Sequence, residues 1–287
     1  MTTYPEQINS IIEYIYLHLD SDEQGALSTD TLSELSGCSK FHFHRQFQAY
    51  TGVTLYRFVQ LLRLKRASYQ LVYHPQDKII DIAFDAGFES HEAFSRAFKK
   101  RYGLTPLQFR QHPKWETWLD HYNFNIGEDM NLPEVDIVEF SEQKVALLKH
   151  RGNPKALNHS ISRFIEWRKS CKESPIASSH TFGIAYHDPD MVAAEDFKFD
   201  ICGSVKKDID PNPQGVINSL IPGGRCARII HQGSYDLMGP KIHYLYKDWL
   251  SKSGETLRDF PCFFEYQNFF PQVSEAKLCT VIYLPIV

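Results

Sequence analysis

The chain has 287 residues, 43% apolar and 23% charged, with 15 Gly, 15 Pro and a formal net charge of −4. At about 150 residues per domain two domains are expected, and this composition excludes disordered, collagen-like and low-complexity chains. No stretch approaches the ~18 consecutive apolar residues of a membrane span. The first Lys or Arg is Lys40, so the basic start of a secretory signal is missing and a cytoplasmic location is expected.

The charge is unevenly spread. Residues 1–39 carry seven acids and no Lys or Arg, whereas residues 40–112 carry twelve Lys/Arg against five Asp/Glu, a local excess of +7. A basic block inside a near-neutral chain is the footprint of a nucleic-acid-binding surface, although a solvated helix face has the same composition. The cysteines are Cys38, Cys171, Cys202, Cys226, Cys262 and Cys279, none close to another in sequence. No C-x-x-C pair exists for zinc or redox chemistry, so reduced thiols, no metal and no cofactor are expected.

In chain order, the first half repeats at about 50 residues. Gly37 matches Gly87; one residue then enters, and Phe43, Arg45, Phe47, Gly52, Thr54 and Phe58 match Phe94, Arg96, Phe98, Gly103, Thr105 and Phe109. Ser28 is placed to cap a short helix carrying Leu32 and Leu35, and Ser39 to cap the next. That next helix sets Phe43, Phe47 and Tyr50 on one side. Lys40, His44 and Gln48 form another, flanked by Phe41 and Arg45. In the second copy Ile79, Ile82, Ala83 and Ala86 pack, Gly87 turns and Ser90 caps. Phe94 and Phe98 then point inward while His91, Glu92, Ser95, Arg96 and Lys99 point out. Two helices joined by a glycine turn, the second polar outside, describe a helix-turn-helix, here twice. Between the copies, residues 55–74 keep helical spacing through Leu55, Phe58, Val59, Leu62, Tyr69 and Val72, with Arg63, Lys65 and Arg66 elsewhere. About 20 residues make a rod of ~30 Å, close to the ~34 Å of one DNA turn.

The run IAFDAGFESHEAFSRAFKKRYGLTP at 82–106, followed by Phe109 and Arg110, and CSKFHFHRQF at 38–47 resemble the AraC/XylS family of bacterial transcription regulators over residues 5–112. The resemblance implies binding of double-stranded DNA, more often activation than repression, and RNA polymerase as a partner. It implies that Lys40, Phe41, His44, Arg45 and Gln48 of the first reading helix, and His91, Glu92, Ser95, Arg96 and Lys99 of the second, meet bases and phosphates. Arg45 and Arg96 share one repeat position, from which an arginine binds a guanine edge bidentately or a phosphate. Glu92 either accepts from a cytosine amine or neutralises Arg96. His42 and His44 are two apart and share no helix face.

Residues 113–133 are irregular and polar and are expected to be a linker, with Trp115, Trp118 and Phe124 free to pack on either side. Residues 134–287 repeat at about 81 residues, each copy reading strand–helix–strand–strand. The later strands are expected at 182–186 and 197–205, then at 262–268 and 278–285. The fold class is therefore multidomain: an all-α double helix-turn-helix domain at 1–112 and an α+β domain at 134–287, with helices segregated from an antiparallel sheet. A pseudo-twofold with a groove at the joint follows. The segments IPGGR at 221–225, HQGSY at 231–235, FFEY at 263–266 and VIYLP at 281–285 resemble the GyrI-like effector-binding domain. The resemblance implies a small-molecule effector, often a cationic lipophilic one, met by a groove glutamate at the position of Glu265. Tyr186, Tyr235, Trp249, Phe263 and Tyr283 are candidates to line that groove. A poorly solvated carboxylate among rings gains from a cation, and ring faces add ~0.5–2 kcal/mol. Gly223, Gly224 and Gly233 fit no phosphate-loop frame and read as turns. Two other readings of this half stay open: a hydrolase using Glu265 with Tyr235 or Trp249, and a sequestering or interaction module.

Overall fold

The computed structural model describes residues 4–19, 25–114, 133–189 and 191–287. The chain divides into two compact units, one of Met1–Leu132 with Phe270–Lys277, the other of Pro133–Phe269 with Leu278–Val287. Trp115, Trp118, Phe124 and most of the expected linker lie outside the described residues.

In the helical unit, α1 (Tyr4–His18) precedes α2 (Thr29–Leu35), α3 (Lys40–Thr51), α4 (Leu55–Tyr73), α5 (Ile79–Asp85), α6 (His91–Tyr102) and α7 (Pro106–Gln111). The duplication is visible in the helix lengths: α2 and α5 have seven residues each, α3 and α6 twelve. The extra residue of the second copy enters the turn between its two helices. Ser28, Ser39 and Ser90 each accept a backbone N–H of the first turn of the helix they precede, satisfying a donor that the helix cannot. Gly37, Gly52, Gly87 and Gly103 have φ between 66° and 76°, where a β-carbon costs strain. Phe43 and Phe47 are fully buried, as are their counterparts Phe94 and Phe98.

Helix α4 serves both copies. Phe58, near its start, meets Phe47 edge-on at 5.4 Å. Leu64, Ala67 and Leu71, near its end, belong to the core of the second copy with Ile82, Phe94, Phe98 and Phe109. The apolar stripe thus rotates around the helix, and Lys65 is buried with it. The length of α4 is ~28 Å at the usual rise per residue. Arg110 at the end of α7 donates to the carbonyls of Pro75 and Asp77, which fixes the second copy against the turn after α4.

The second unit is one antiparallel sheet in the order β1-β6-β8-β7-β3-β4-β2-β5. Its strands are β1 (Asp136–Phe140), β2 (Gln143–Arg151), β3 (Thr181–Ala185), β4 (Lys198–Ser204), β5 (Ile217–Ile221), β6 (Gly224–Gln232), β7 (Cys262–Tyr266) and β8 (Cys279–Pro285). Strand lengths run five, nine, five and seven residues in the first copy and repeat in the second. Helix α8 (Leu157–Ser170) follows β2. After β6 come α9 (Gly239–Tyr244), a π-helical turn (Leu245–Trp249) and α10 (Leu250–Ser253). Each copy is therefore strand–strand–helix–strand–strand, one strand more than the sequence pattern suggests. The missed strands, β1 and β5, are short edges, too weakly alternating to declare themselves. Each pairs only with the other copy: β1 with β6, β5 with β2.

The copies join where β3 pairs with β7. Gly183 and Phe264, the middle residues of these equivalent strands, lie opposite each other, so the pseudo-twofold passes between them. A β-carbon on Gly183 would stand 2.5 Å from Phe199 and 3.0 Å from the Tyr266 hydroxyl; glycine lets those rings close over the centre. On that face Phe164 and Trp167 of α8 and Leu245 of the π turn pack on Leu148, Phe199, Ile229, Phe264 and Ile282. The opposite face holds a second cluster that includes Phe140, Phe182, Ile184, Phe263 and Tyr283. Among the described residues no helix is long and apolar enough to cross a membrane.

His150 and His231 occupy equivalent places near the ends of β2 and β6, and both are buried. His231 Nε2 donates to the Ser234 carbonyl at 2.9 Å, leaving Nδ1 without a proton and without a partner. Protonation would put an unsatisfied N–H in the core. Burial, then the Lys241 charge, holds the pKa down at about 4. Because the folded value lies below the ~6.5 of an unfolded histidine, the stabilisation is present above pH ~6.5. It is lost as pH falls through about 4, by ~3 kcal/mol in all. Urea unfolding of the sheet unit at pH 4 and 7, followed by circular dichroism, is expected to show this loss in the wild type and a smaller one in His231→Gln. Equal pH slopes would remove His231 from the linkage.

Candidate DNA-reading faces and effector site

In α3, Lys40, Phe41, His44, Arg45 and Gln48 are all exposed, while Phe43 and Phe47 between them are buried. Lys40 pairs with Asp30, and His44 Nε2 lies 3.4 Å from the Thr29 hydroxyl, so α2 steadies the outer face of α3. The Arg45 guanidinium sits 5.5 Å over the Phe41 ring, which preorganises a planar donor fork at the surface. In α6, Glu92, Arg96 and Lys99 are exposed, and His91 and Ser95 half-buried, with His91 Nε2 and the Ser95 hydroxyl 3.5 Å apart. Hydrogen bonds from its own backbone N–H and from the Ser90 hydroxyl hold Glu92 below the usual carboxylate range, with smaller help from His91 and Arg96. Glu92 is thus engaged first in the helix start and only second with Arg96. The last turn of α6 adds Lys99, Lys100 and Arg101, complementing the helix dipole and extending the basic face.

In the sheet unit, Glu265 lies opposite Phe182 on β3 and Val281 on β8. By strand alternation it shares its face with Phe263 and Tyr283, one residue from the pseudo-twofold. Phe263 and Tyr283 stack at 4.9 Å with an 18° interplanar angle, and Phe140 closes edge-on on both at 4.9 and 5.1 Å. Glu265 is the carboxylate at the border of this aromatic cluster, its side chain 12% exposed. The Tyr283 hydroxyl donates to Oε2 at 3.2 Å; burial, then the Glu265 charge and this bond, raises the phenol's pKa.

The other residues singled out in the sequence fall elsewhere. The Tyr186 hydroxyl donates to Asp200 at 2.9 Å, and the phenol is pushed up to about 12 by burial, then by that bond. Arg151 completes the group, 2.6 Å from Asp200 and over the Tyr186 ring at 5.5 Å. Tyr235 and Trp249 pack on the helix-covered face, with Tyr235 edge-on to Tyr266 at 5.4 Å. The structure therefore brings Phe263 and Tyr283 to Glu265 and sets Tyr235 and Trp249 on the other side of the sheet. Pro222 and Gly223 link β5 to β6, and Gly224 opens β6.

Sequence reasoning missed His180, which meets Glu265, and Arg168, which holds the residues on either side of His180. His180 Nδ1 is 2.6 Å from Oε1, and its ring stacks on Phe182 at 6.1 Å. Arg168, buried at 4% exposure, donates to the Thr181 hydroxyl and the Ser179 hydroxyl at 2.6 Å each, on either side of His180. Burial lowers its pKa to about 10. The signal for His180 is its place two residues before Phe182, on the same pleat. Using it requires the β3–β7 register, which no local pattern encodes. Among the described residues no group of three His, Cys, Asp or Glu is placed to hold a metal ion.

Comparison with known proteins agrees with both halves. A GyrI-like small molecule binding domain profile matches residues 133–287, and a helix-turn-helix domain profile matches residues 32–112. The chain is 42% identical over 153 residues to the probable transcriptional regulator YgiV of Escherichia coli K12, covering 53% of this chain and 96% of that protein. It is 36% identical over 108 residues to the probable transcription factor PqrA of Proteus vulgaris, covering 37% of this chain and 84% of that protein. Among solved structures, the EcmrR–DNA complex has a TM-score of 0.47 at 16% identity, covering 90% of this chain and 98% of that one. With a duplicated helix-turn-helix in front and a GyrI-like small molecule binding domain spanning more than half its length, the chain belongs to the AraC-type, GyrI-like transcriptional regulators that bind DNA.

Proposed function

We propose that residues 1–112 read a two-part site on double-stranded DNA and that residues 134–287, joined through 113–133, bind a cationic lipophilic small molecule at Glu265. The observation that carries the DNA reading is the exposure of Arg45 and Arg96 at one repeat position, on two helices packed against opposite ends of the same rod. That rod, ~28 Å long, suits two major grooves about one turn apart. Lys40, His44, Gln48, His91, Ser95 and Lys99 complete the faces, and Glu92 excludes phosphate from its own corner of α6.

The effector reading rests on a nearly buried carboxylate beside stacked rings, which favours a cation over a neutral ligand. Phe263 and Tyr283 line it; Tyr186, Tyr235 and Trp249 do not reach it. Both Glu265 oxygens are hydrogen-bonded, to His180 and Tyr283, which suits a counter-charge better than a general base, so the chain acts as a regulator and not as a hydrolase. Its action is activation through RNA polymerase in the cytoplasm, as expected from the family resemblance.

Selection of bound duplexes from a random pool at two salt concentrations tests the first half. A bipartite motif with half-sites one helical turn apart, and affinity falling steeply with salt, is the expected result. No enriched motif would sink the two-reader arrangement. Arg96→Ala is expected to relax specificity at one base position, costing ~1–3 kcal/mol there; a uniform loss across sequences would make Arg96 a phosphate contact. For the second half, Glu265→Gln is expected to weaken tetraphenylphosphonium on the order of tenfold, about 1.4 kcal/mol, without weakening the same-shaped tetraphenylborate anion. Calorimetric titration giving equal effects on both ions would take Glu265 out of the site.

A further inference from the structure

We propose that His180 is a built-in partner that occupies Glu265, and that a cationic effector is recognised by displacing it. This rests on the reading of Glu265 as the cation site. The partners are unequally placed: the Glu265 side chain is 12% exposed, whereas that of His180 is 62% exposed. The carboxylate cannot leave its strand, but the imidazole can swing into water. The 2.6 Å contact occupies Oε1, the oxygen that Tyr283 leaves free.

The placement of the ring is built. The His180 backbone N–H donates to the Ser204 hydroxyl at 2.9 Å. The residues on either side are clamped by the Arg168 guanidinium, which also donates from Nε to the Ser174 carbonyl at 2.9 Å. The backbone of the segment entering β3 is thus fixed while the His180 side chain lies exposed at the surface. The second copy has no equivalent of His180: Pro261 stands immediately before β7, where the first copy has His180 immediately before β3. Conversely, the fourth residue of β3 is Ile184 where that of β7 is Glu265. Carboxylate and imidazole each exist once, in opposite copies, and the β3–β7 pairing brings them together.

Selectivity follows from the physics of the exchange. Removing His180 leaves a poorly solvated carboxylate without that partner, which is costly unless a cation replaces it. A neutral ligand displacing the ring bears that cost uncompensated. A lipophilic cation restores the pairing and covers the Phe182 ring that the imidazole vacates. Occupancy by His180 also lowers the apparent affinity for any cation by the fraction of molecules in which the site is open.

Tetraphenylphosphonium is titrated calorimetrically into the full chain as wild type, His180→Ala, Glu265→Gln and the double variant, with tetraphenylborate as the same-shaped control. His180→Ala is expected to tighten the phosphonium on the order of 3- to 10-fold and not to tighten the borate, and this gain is expected to vanish in the double variant. If His180→Ala leaves the phosphonium unchanged or weakens it while Glu265→Gln still weakens it, the displacement is wrong and the cation site stands. If Glu265→Gln changes nothing in either background, the cation site itself fails. As a second readout, the hydrogen-bonded imidazole signal of His180 in nitrogen-15 NMR is expected to disappear at saturating phosphonium. Its persistence in the complex overturns the proposal.

Discussion

The pairing of β3 with β7 is the constraint on which the effector half depends. It is the central of three seams, with β1–β6 and β2–β5, through which two copies form a single eight-stranded sheet. The register is set by Gly183 opposite Phe264, and only a residue without a β-carbon admits Phe199 and Tyr266 so close to the centre. A one-residue slip would exchange every side chain between the faces. Glu265 would then point at the helices, and the Tyr283 and His180 contacts would be lost. The chemistry of the site is thus a consequence of register, and register is a consequence of packing at one glycine.

A comparable dependence runs through the helical half, where α4 is shared property. Its first turns complete one core, with Phe58 against Phe47, and its last turns complete the other, with Leu64, Ala67 and Leu71 among Ile82, Phe94 and Phe109. A helix buried on two different sides along its length cannot rotate or bend without loosening one of the cores. The two reading helices are therefore held by packing rather than by a loop, and a bipartite DNA site becomes a matter of geometry. The same double burial explains why Lys65, a surface residue by its charge, is nearly inaccessible.

What is legible in the sequence is what repeats locally. Serine caps, glycine turns and phenylalanines at spacings of three and four are short-range signals, and they locate α2, α3, α5 and α6 and their outer faces. The later strands of each copy are legible for the same reason. The edge strands β1 and β5 are not, because so short an edge owes its existence to a partner in the other copy. Aromatic character alone offers Tyr235 and Trp249 as groove candidates, whereas the fold packs them on the helix-covered face, away from Glu265. Composition does not say on which side of a sheet a residue lies, and only strand alternation separates Phe263 and Glu265 from Tyr266 behind them. His180 and Arg168 are invisible for a further reason: their roles are relations between copies, and neither copy contains the whole relation.

That asymmetry within a symmetric frame bears on how an effector is sensed. Any ligand that shifts a conformational equilibrium must interact differently with the two states. A symmetric groove would offer a cation two equal half-sites. This one offers a single carboxylate, already satisfied, with its partner attached to a clamped segment of the other copy. Entry of a cation then changes one thing first, the side chain of His180, and with it the tie between β7 and the segment leading into β3. A ligand matched only in shape leaves that tie intact. The His180–Glu265 contact therefore separates binding from signalling: apolar contact with the rings is open to many molecules, but releasing this side-chain tie is reserved for those that bring a charge.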